Sequence, residues 1–231
     1  MLPCAILCGG LATRLRPITE TIPKSLIPIR GEPFIAHQLR LLQSKGIGRV
    51  VLCVGFLGEA IEQFVGDGSS FDLEVSYAFD GGVPLGTAGA IRNALPLLGD
   101  EFFVLYGDSY LNCDYGGVAR AFADSGKPGL MTIYRNRDLY DASNVEAAEG
   151  SILRYDKRCR TPAMEYIDYG LGVFERSVFE RPQLDQIRDL AEVYQALVAT
   201  SELASYEAGE RFYEIGSASG IRDFEESLGN L

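Results

Sequence analysis

Gly9 and Gly10 follow directly on the apolar run Pro3 to Cys8, and Arg14 and Lys24 come soon after. A glycine turn behind a buried strand lets backbone N–H groups approach phosphate oxygens with no Cβ in the way, and the two cations add fixed positive charge. The chemistry this suits is the binding of a nucleoside triphosphate. The loop is neither a P-loop, because no Gly-Lys-Ser/Thr follows at that motif's spacing, nor the Gly-x-Gly-x-x-Gly dinucleotide fingerprint. Asp108, in Leu105-Tyr106-Gly107-Asp108-Ser109, ends another apolar run behind a glycine, so its carboxylate should emerge at the same edge as the Gly9 turn. A hard oxygen ligand there suits Mg²⁺, which takes one or two carboxylates and completes its shell with water and phosphate oxygens. A strand-end aspartate that only caps a turn fits the same segment.

Glu214, in Phe212-Tyr213-Glu214-Ile215-Gly216, is a second carboxylate at the end of a short apolar stretch. Lys157 follows the run Ile152 to Tyr155 and, taken alone, reads as a surface lysine. Pro84-Leu85-Gly86-Thr87-Ala88-Gly89-Ala90 opens a helix with small residues, which either lets a planar base lie against its backbone or simply allows tight helix packing. His37, the only histidine, falls in an amphipathic helix pattern and is expected to be structural or superficial. With no second histidine, most nucleophilic hydrolase chemistries are excluded.

Positioning these groups requires strands that end at one edge. Strand-like runs at Pro3 to Cys8, Arg49 to Val54, Leu73 to Phe79 and Phe102 to Tyr106 alternate with helical spacing at Phe34 to Gly46, Leu57 to Phe64 and Ala88 to Leu98. That alternation implies parallel strands joined by helical crossovers, with ligands beyond the carboxyl ends. After Asp124 come strand-like runs at Gly129 to Arg135, Asn144 to Ala147, Ile152 to Tyr155 and Tyr166 to Phe174, without long helices between them. Two last helices are expected at Asp189 to Thr200 and Gly220 to Leu228, with Asp189 or Ser219 as caps. The expected fold is α/β: a doubly wound, Rossmann-like three-layer sandwich with a mostly parallel mixed sheet and a small antiparallel substrate-binding lobe. At 231 residues with 47% hydrophobic content, the chain is expected to form a single domain, 1–231.

The net charge of −11 argues against nucleic acid or an acidic membrane as partner. Against that background, residues 1–50 hold seven Lys or Arg and only Glu20 and Glu32, beside the glycine turn. The five cysteines form no C-x-x-C pair, no apolar run approaches the roughly 18 residues of a membrane span, and the start lacks a basic leader. A reduced cytoplasmic protein is expected.

Taken together, Gly9-Gly10-Leu11-Ala12-Thr13-Arg14-Leu15-x-Pro17, Pro23-Lys24-Ser25-Leu26-Ile27-Pro28-Ile29, Pro84-Leu85-Gly86-Thr87-Ala88-Gly89 and Gly107-Asp108 resemble the sugar-1-phosphate nucleotidyltransferases. The shorter heptose-1-phosphate and mannose-1-phosphate guanylyltransferases and N-acetylmuramate-1-phosphate uridylyltransferase look most similar. The resemblance implies an enzyme that forms an NDP-sugar and pyrophosphate from a nucleoside triphosphate and a sugar 1-phosphate. Its catalytic residues would be Arg14 on the leaving pyrophosphate, Lys24 at the reacting phosphates, Asp108 and Lys157, with Mg²⁺ held by Asp108 and Glu214. Leu7, Gly9, Gly10, Ala12, Thr13, Asp80, Pro84, Gly86, Thr87 and Gly107 would surround the nucleotide. Asn144, Asp168, Tyr169 and Gly170 would contact the sugar.

The chain departs from the family pattern at Ala12, usually glycine, at Glu214, usually aspartate, at Asp141-Ala142, where a glycine is common, and at Asp168, usually asparagine. The resemblance implies GTP with a heptose or mannose 1-phosphate as the substrate pair, since Pro84-Leu85-Gly86-Thr87-Ala88-Gly89 is more similar to guanylyltransferase sequences than to uridylyl ones, and Asp80 offers an acceptor for guanine N1–H and N2–H₂. UTP- or CTP-dependent members, including a phosphocholine cytidylyltransferase type, and a nucleotide-binding homologue without turnover are the alternatives. A homo-oligomer is left open.

Overall fold

The computed structural model describes residues 1–10 and 12–229; Leu11, the apolar member of the glycine loop, lies outside the described residues, as do Asn230 and Leu231. The first half runs β1 (Cys4–Leu7), the hairpin β2 (Pro28–Ile29) and β3 (Glu32–Pro33), α1 (Phe34–Ser44), β4 (Arg49–Val54), α2 (Gly58–Val65), β5 (Glu74–Phe79), α3 (Gly86–Ala94), β6 (Glu101–Tyr106), β7 (Ser109–Tyr110) and α4 (Tyr115–Ser125). The second half adds β8 (Gly129–Arg135), β9 (Val145–Ala148), β10 (Ser151–Tyr155), β11 (Tyr166–Glu175), α5 (Arg176–Phe179), α6 (Leu190–Ala199), β12 (Leu203–Glu207), β13 (Tyr213–Glu214) and α7 (Ala218–Ser227).

Nine strands form one sheet in the order β5-β4-β1-β6-β11-β8-β12-β10-β9. The first four are parallel, as the alternating pattern requires, and β4 is buried along five of its six residues because helices cover both faces. β11 then pairs antiparallel with both β6 and β8, and β12, β10 and β9 complete the mixed half. The antiparallel strands thus continue the same sheet and carry the 155–157 turn at its far end.

Helix periodicity turns each crossover's apolar stripe onto the sheet. Ile35, Leu39 and Leu42 of α1, Ile61 and Val65 of α2, and Val118 and Phe122 of α4 fill the core on one face. Ile91 and Ala94 of α3, with Val193 and Leu197 of α6, fill it on the other. These are the three layers expected from the sequence.

Among the elements of five or more residues, α4 and β12 have no counterpart in the sequence reading. Gly116 and Gly117 dilute the pattern of α4, which starts nonetheless because Asp114 caps it by accepting from Gly117 N–H (2.9 Å). β12 is short and carries Ala204 and Ser205, so its strand character comes from docking between β8 and β10. Asp189 caps α6 as expected, but the cap of α7 is Ser217 rather than Ser219, its hydroxyl accepting from Gly220 N–H (3.0 Å).

α7 closes over the N-terminal loops through a third cluster, in which fully buried Phe224 meets Phe34 edge-on (5.4 Å) and Tyr110 (4.6 Å). His37 also lies against Phe224, and its Nε2–H donates to Ile29 O (3.1 Å), so it is structural as expected. Replacing Phe224→Ala should cost about 3–5 kcal/mol, read from urea denaturation. An unshifted midpoint would show that this ring does not hold α7 in place.

Candidate active site

β1 and β6 run side by side with Leu7 opposite Tyr106, so the Gly9 and Gly107 loops leave the sheet together. Gly107 N–H donates to Leu7 O (3.1 Å), and a Cβ on Gly107 would stand 2.5 Å from that oxygen, so only glycine permits the approach. The next strand, β4, brings Gly55 against Gly9, where a Cβ would come 3.0 Å from Gly9 O. A cavity of about 290 Å³ opens at this edge, lined by Leu7, Gly9, Gly10, Lys24, Asp80, Pro84, Gly86, Thr87, Gly107 and Asp108, all expected from the sequence.

Lys24 enters through a single 3-10 turn after Pro23, and its Nζ meets Asp108 Oδ2 at 2.6 Å, with both side chains largely shielded. The two residues are 84 positions apart in the chain. On the opposite wall, Asp80 Oδ2 accepts from Leu85 N–H (3.3 Å), whereas Asp80 Oδ1 is buried with no partner among the described residues. Burial raises the Asp80 carboxyl above the ordinary aspartate value. Gly86 (φ +76°) allows the Arg188 carbonyl to approach α3, and Thr87 Oγ1 accepts from Leu190 N–H (2.7 Å). Thr87 therefore lines the cavity with a hydroxyl already engaged in joining α3 to α6.

Lys157 stands in a second group beside the cavity. Its Nζ lies 3.8 Å from Asp168 Oδ2 and over the rings of Tyr106 (5.6 Å) and Tyr155 (5.7 Å). Asp168 is almost fully buried, accepts from Tyr155 Oη–H (3.0 Å) and Gly170 N–H (3.0 Å), and donates its own N–H to Asn144 Oδ1 (3.0 Å). Gly170 (φ +97°) lies against Ser109, next to Asp108. Tyr169 does not join this group, contrary to the sequence expectation. Successive strand residues face opposite ways, and its ring packs with Leu171 and Val173 in the other core.

Three expected residues just after the two glycines also lie outside the cavity lining. Thr13 and Arg14 are exposed on the first 3-10 turn, and Arg14 Nη2 reaches toward Gly216, where a Cβ would come 3.4 Å from it. Ala12 adopts the left-handed conformation (φ 45°, ψ 45°) that a glycine takes freely, a strain on the order of 1–2 kcal/mol for alanine. Its carbonyl accepts from Thr19 Oγ1–H (2.9 Å), which holds the loop in that shape.

Glu214 is brought next to Asp108 by backbone: β13 pairs Glu214 with Ser109, and Ile215 N–H donates to Asp108 O (2.9 Å). Its carboxylate turns instead to Gly216 N–H (2.5 Å) and Ser217 Oγ (3.0 Å), in a separate cavity of about 180 Å³ that also holds Tyr140 and Arg211. The fold adjoins the two acidic residues without pointing both carboxylates into one cavity.

The lining residues that sequence reasoning missed are Cys8, Ser25, Ala90 and Tyr106. Cys8 is buried, and that burial, with Asp108 nearby, pushes its thiol up to about 12, so it stays protonated. The signal for Ser25 and Tyr106 was adjacency to Lys24 and to Gly107-Asp108.

A family model described as nucleotidyl transferase matches residues 4–220. The mannose-1-phosphate guanylyltransferase catalytic subunit beta of Xenopus tropicalis is 29% identical over 217 residues, covering 91% of this chain and 60% of that protein. The mannose-1-phosphate guanylyltransferase of Mycobacterium tuberculosis is 31% identical over 204 residues, covering 87% of this chain and 56% of that protein. The chain thus spans about 60% or less of the length of these curated relatives. HddC from Yersinia pseudotuberculosis, solved with GMP-PN, superposes with a TM-score of 0.84 at 22% identity, over 99% of this chain and 100% of that one. The inositol-1-phosphate CTP transferase of T. maritima gives 0.80 at 23% identity, over 99% of this chain and 95% of that one. At those identities the superpositions establish a shared fold. The family match spans the glycine loop, Lys24, Asp108 and Lys157 together, and the chain belongs to the nucleotidyl transferase family.

Proposed function

We propose that this chain joins a nucleoside triphosphate to a sugar 1-phosphate, releasing pyrophosphate and forming an NDP-sugar. The observation that carries the reading is the convergence of the Gly9 loop, Lys24 and Asp108 on one cavity, with Lys157 against its Tyr106 wall. The sugar-phosphate oxygen attacks the α-phosphorus, the bond to the β-phosphate oxygen breaks, and pyrophosphate leaves with its electrons; no covalent enzyme intermediate is needed. Positioning and charge neutralisation are the main tasks. Lys24 must leave Asp108 to reach a phosphate oxygen, Arg14 meets the leaving pyrophosphate, and Lys157 leaves the shelter of Asp168 to hold the sugar phosphate.

The donor set fits Mg²⁺: Asp108 is a hard oxygen donor at the mouth of the cavity, and such an ion needs only one or two carboxylates beside phosphate and water oxygens. Asp108, with Glu214 once its side chain turns, would hold it. When bound, it would neutralise charge on the triphosphate. The unpartnered Asp80 Oδ1 supports guanine as the base, and the guanylyltransferase relatives support mannose or a similar sugar. The engagement of the Glu214 carboxylate by Gly216 and Ser217 favours a second reading, a nucleotide-binding protein without turnover.

Among the described residues no helix is long and apolar enough to cross a membrane. The five unpaired cysteines suit a reducing cytoplasm.

A panel of four triphosphates against mannose, heptose and N-acetylmuramate 1-phosphates, read by pyrophosphate release, tests the proposal. Release with GTP and a hexose or heptose 1-phosphate is expected, and nucleotide binding without release across the whole panel would establish the second reading. Arg14→Ala should lower turnover by a factor on the order of 10² to 10³, as for loss of one preorganised charge-stabilising donor. Turnover within a few-fold of wild type would remove that role. Asp108→Asn should abolish most Mg²⁺-dependent activity, and an unchanged Mg²⁺ titration would exclude metal ligation there.

Asp80→Asn should weaken the preference for guanine and raise the Tm of the free protein near neutral pH, because burial disfavours the ionised carboxylate. Since burial raises this carboxyl in the folded state, its ionised form destabilises above the folded value, and the penalty vanishes as both states become protonated at low pH. The Tm difference should therefore shrink with acidification. A pH-independent difference would rule out this origin.

A further inference from the structure

We infer that Gln38 is a positioning residue for the Asp108 turn. Gln38 lies on the sheet-facing stripe of α1 among Ile35, Leu39 and Leu42, where helical periodicity calls for an apolar side chain, and it is 1% exposed. Its Nε2 donates both hydrogens to backbone carbonyls on either side of Gly107-Asp108: Tyr106 O at 3.2 Å and Ser109 O at 2.7 Å. The rest of the turn is held by Gly107 N–H on Leu7 O (3.1 Å) and by Ile215 N–H on Asp108 O (2.9 Å).

Gln38 is thus the one described side chain whose amide spans the turn. It does so although its own Oε1 is buried without a partner among the described residues. A buried unpaired acceptor is unfavourable, and an apolar residue here would avoid that penalty while leaving two peptide carbonyls without donors. The side chain is explained by the two carbonyls, and what they bracket is the Asp108 carboxylate facing Lys24. A reacting group displaced by about 1 Å can lose on the order of 10² in rate, so the orientation of this turn bears directly on turnover.

The inference rests on the proposed role of Asp108, and its test separates the two. Gln38→Met keeps the length of the side chain and removes both donors; Ile35→Val, which trims one buried methyl from the same helix, is the control. Amide hydrogen exchange of the ligand-free protein should quicken about tenfold in the 106–110 segment with β4 unaffected, as expected for loss of bonds at one site. In assays with the preferred triphosphate, kcat should fall about tenfold with the triphosphate KM little changed, because the loss is one of orientation. Ile35→Val should change neither. If Gln38→Met does not fold, Gln38→Asn, one methylene shorter, should show the same pattern more weakly.

Unchanged exchange in the 106–110 segment would overturn the inference. Faster exchange with wild-type kcat would overturn it too if Asp108→Asn is inactive. The same result with an active Asp108→Asn would show that the role given to Asp108 had failed and the inference with it.

Discussion

The parallel pairing of β1 with β6 at the centre of the sheet is the constraint on which the site depends. It ends two strands at one level, Leu7 opposite Tyr106, and Gly107 then closes onto the Leu7 carbonyl at a distance no Cβ would allow. From that contact the geometry follows outward. The Gly9 loop leaves one strand and Asp108 the other, Lys24 bridges them, and β13 reaches Asp108 through its carbonyl. Because β1 and β6 are flanked on both sides by further strands and covered by helices, the junction is rigid in the sense that moving it would disturb both cores.

The proposed anionic substrates would require a chain of net charge −11 to concentrate positive charge locally. It does so with cations that are provisionally paired. Lys24 rests on Asp108 and Lys157 on Asp168, so neither ammonium faces a partly buried environment alone. Lys157 is further sheltered by two tyrosine rings, one of which belongs to the wall of the cavity between Gly9 and Asp108. The two groups therefore share Tyr106, which joins the proposed triphosphate and sugar-phosphate sites. Arg14 differs, since it stands exposed on a strained turn whose shape Thr19 maintains.

The order of the sheet departs from simple alternation after β6, and the departure brings a second charged group to the edge of the cavity. β11 inserts antiparallel between β6 and β8, which carries Asp168 and Gly170 to the edge where Ser109 and Asp108 emerge. The antiparallel half thereby delivers the Lys157 group to the same edge without a separate unit to support it.

Most of the first half was legible in the sequence, because apolar runs broken by glycine and helical spacing are local signals: β4 and β8 fall on the expected residues, and the glycine loop, Lys24 and Asp108 line one cavity. α4 and β12 were not, since glycines or small residues blur their periodicity and their order comes from a cap and from neighbouring strands. Tyr169 went to the core because strand alternation, which acts residue by residue, overrides membership in a motif. The direction of the Glu214 carboxylate and the reach of Gln38 to Tyr106 and Ser109 depend on contacts between segments far apart in the chain. Local residue types and spacing determined the strands, the loops and the charges beyond them. Only tertiary packing decided which side chains meet, because a hydrogen bond between distant segments has no periodicity to announce it.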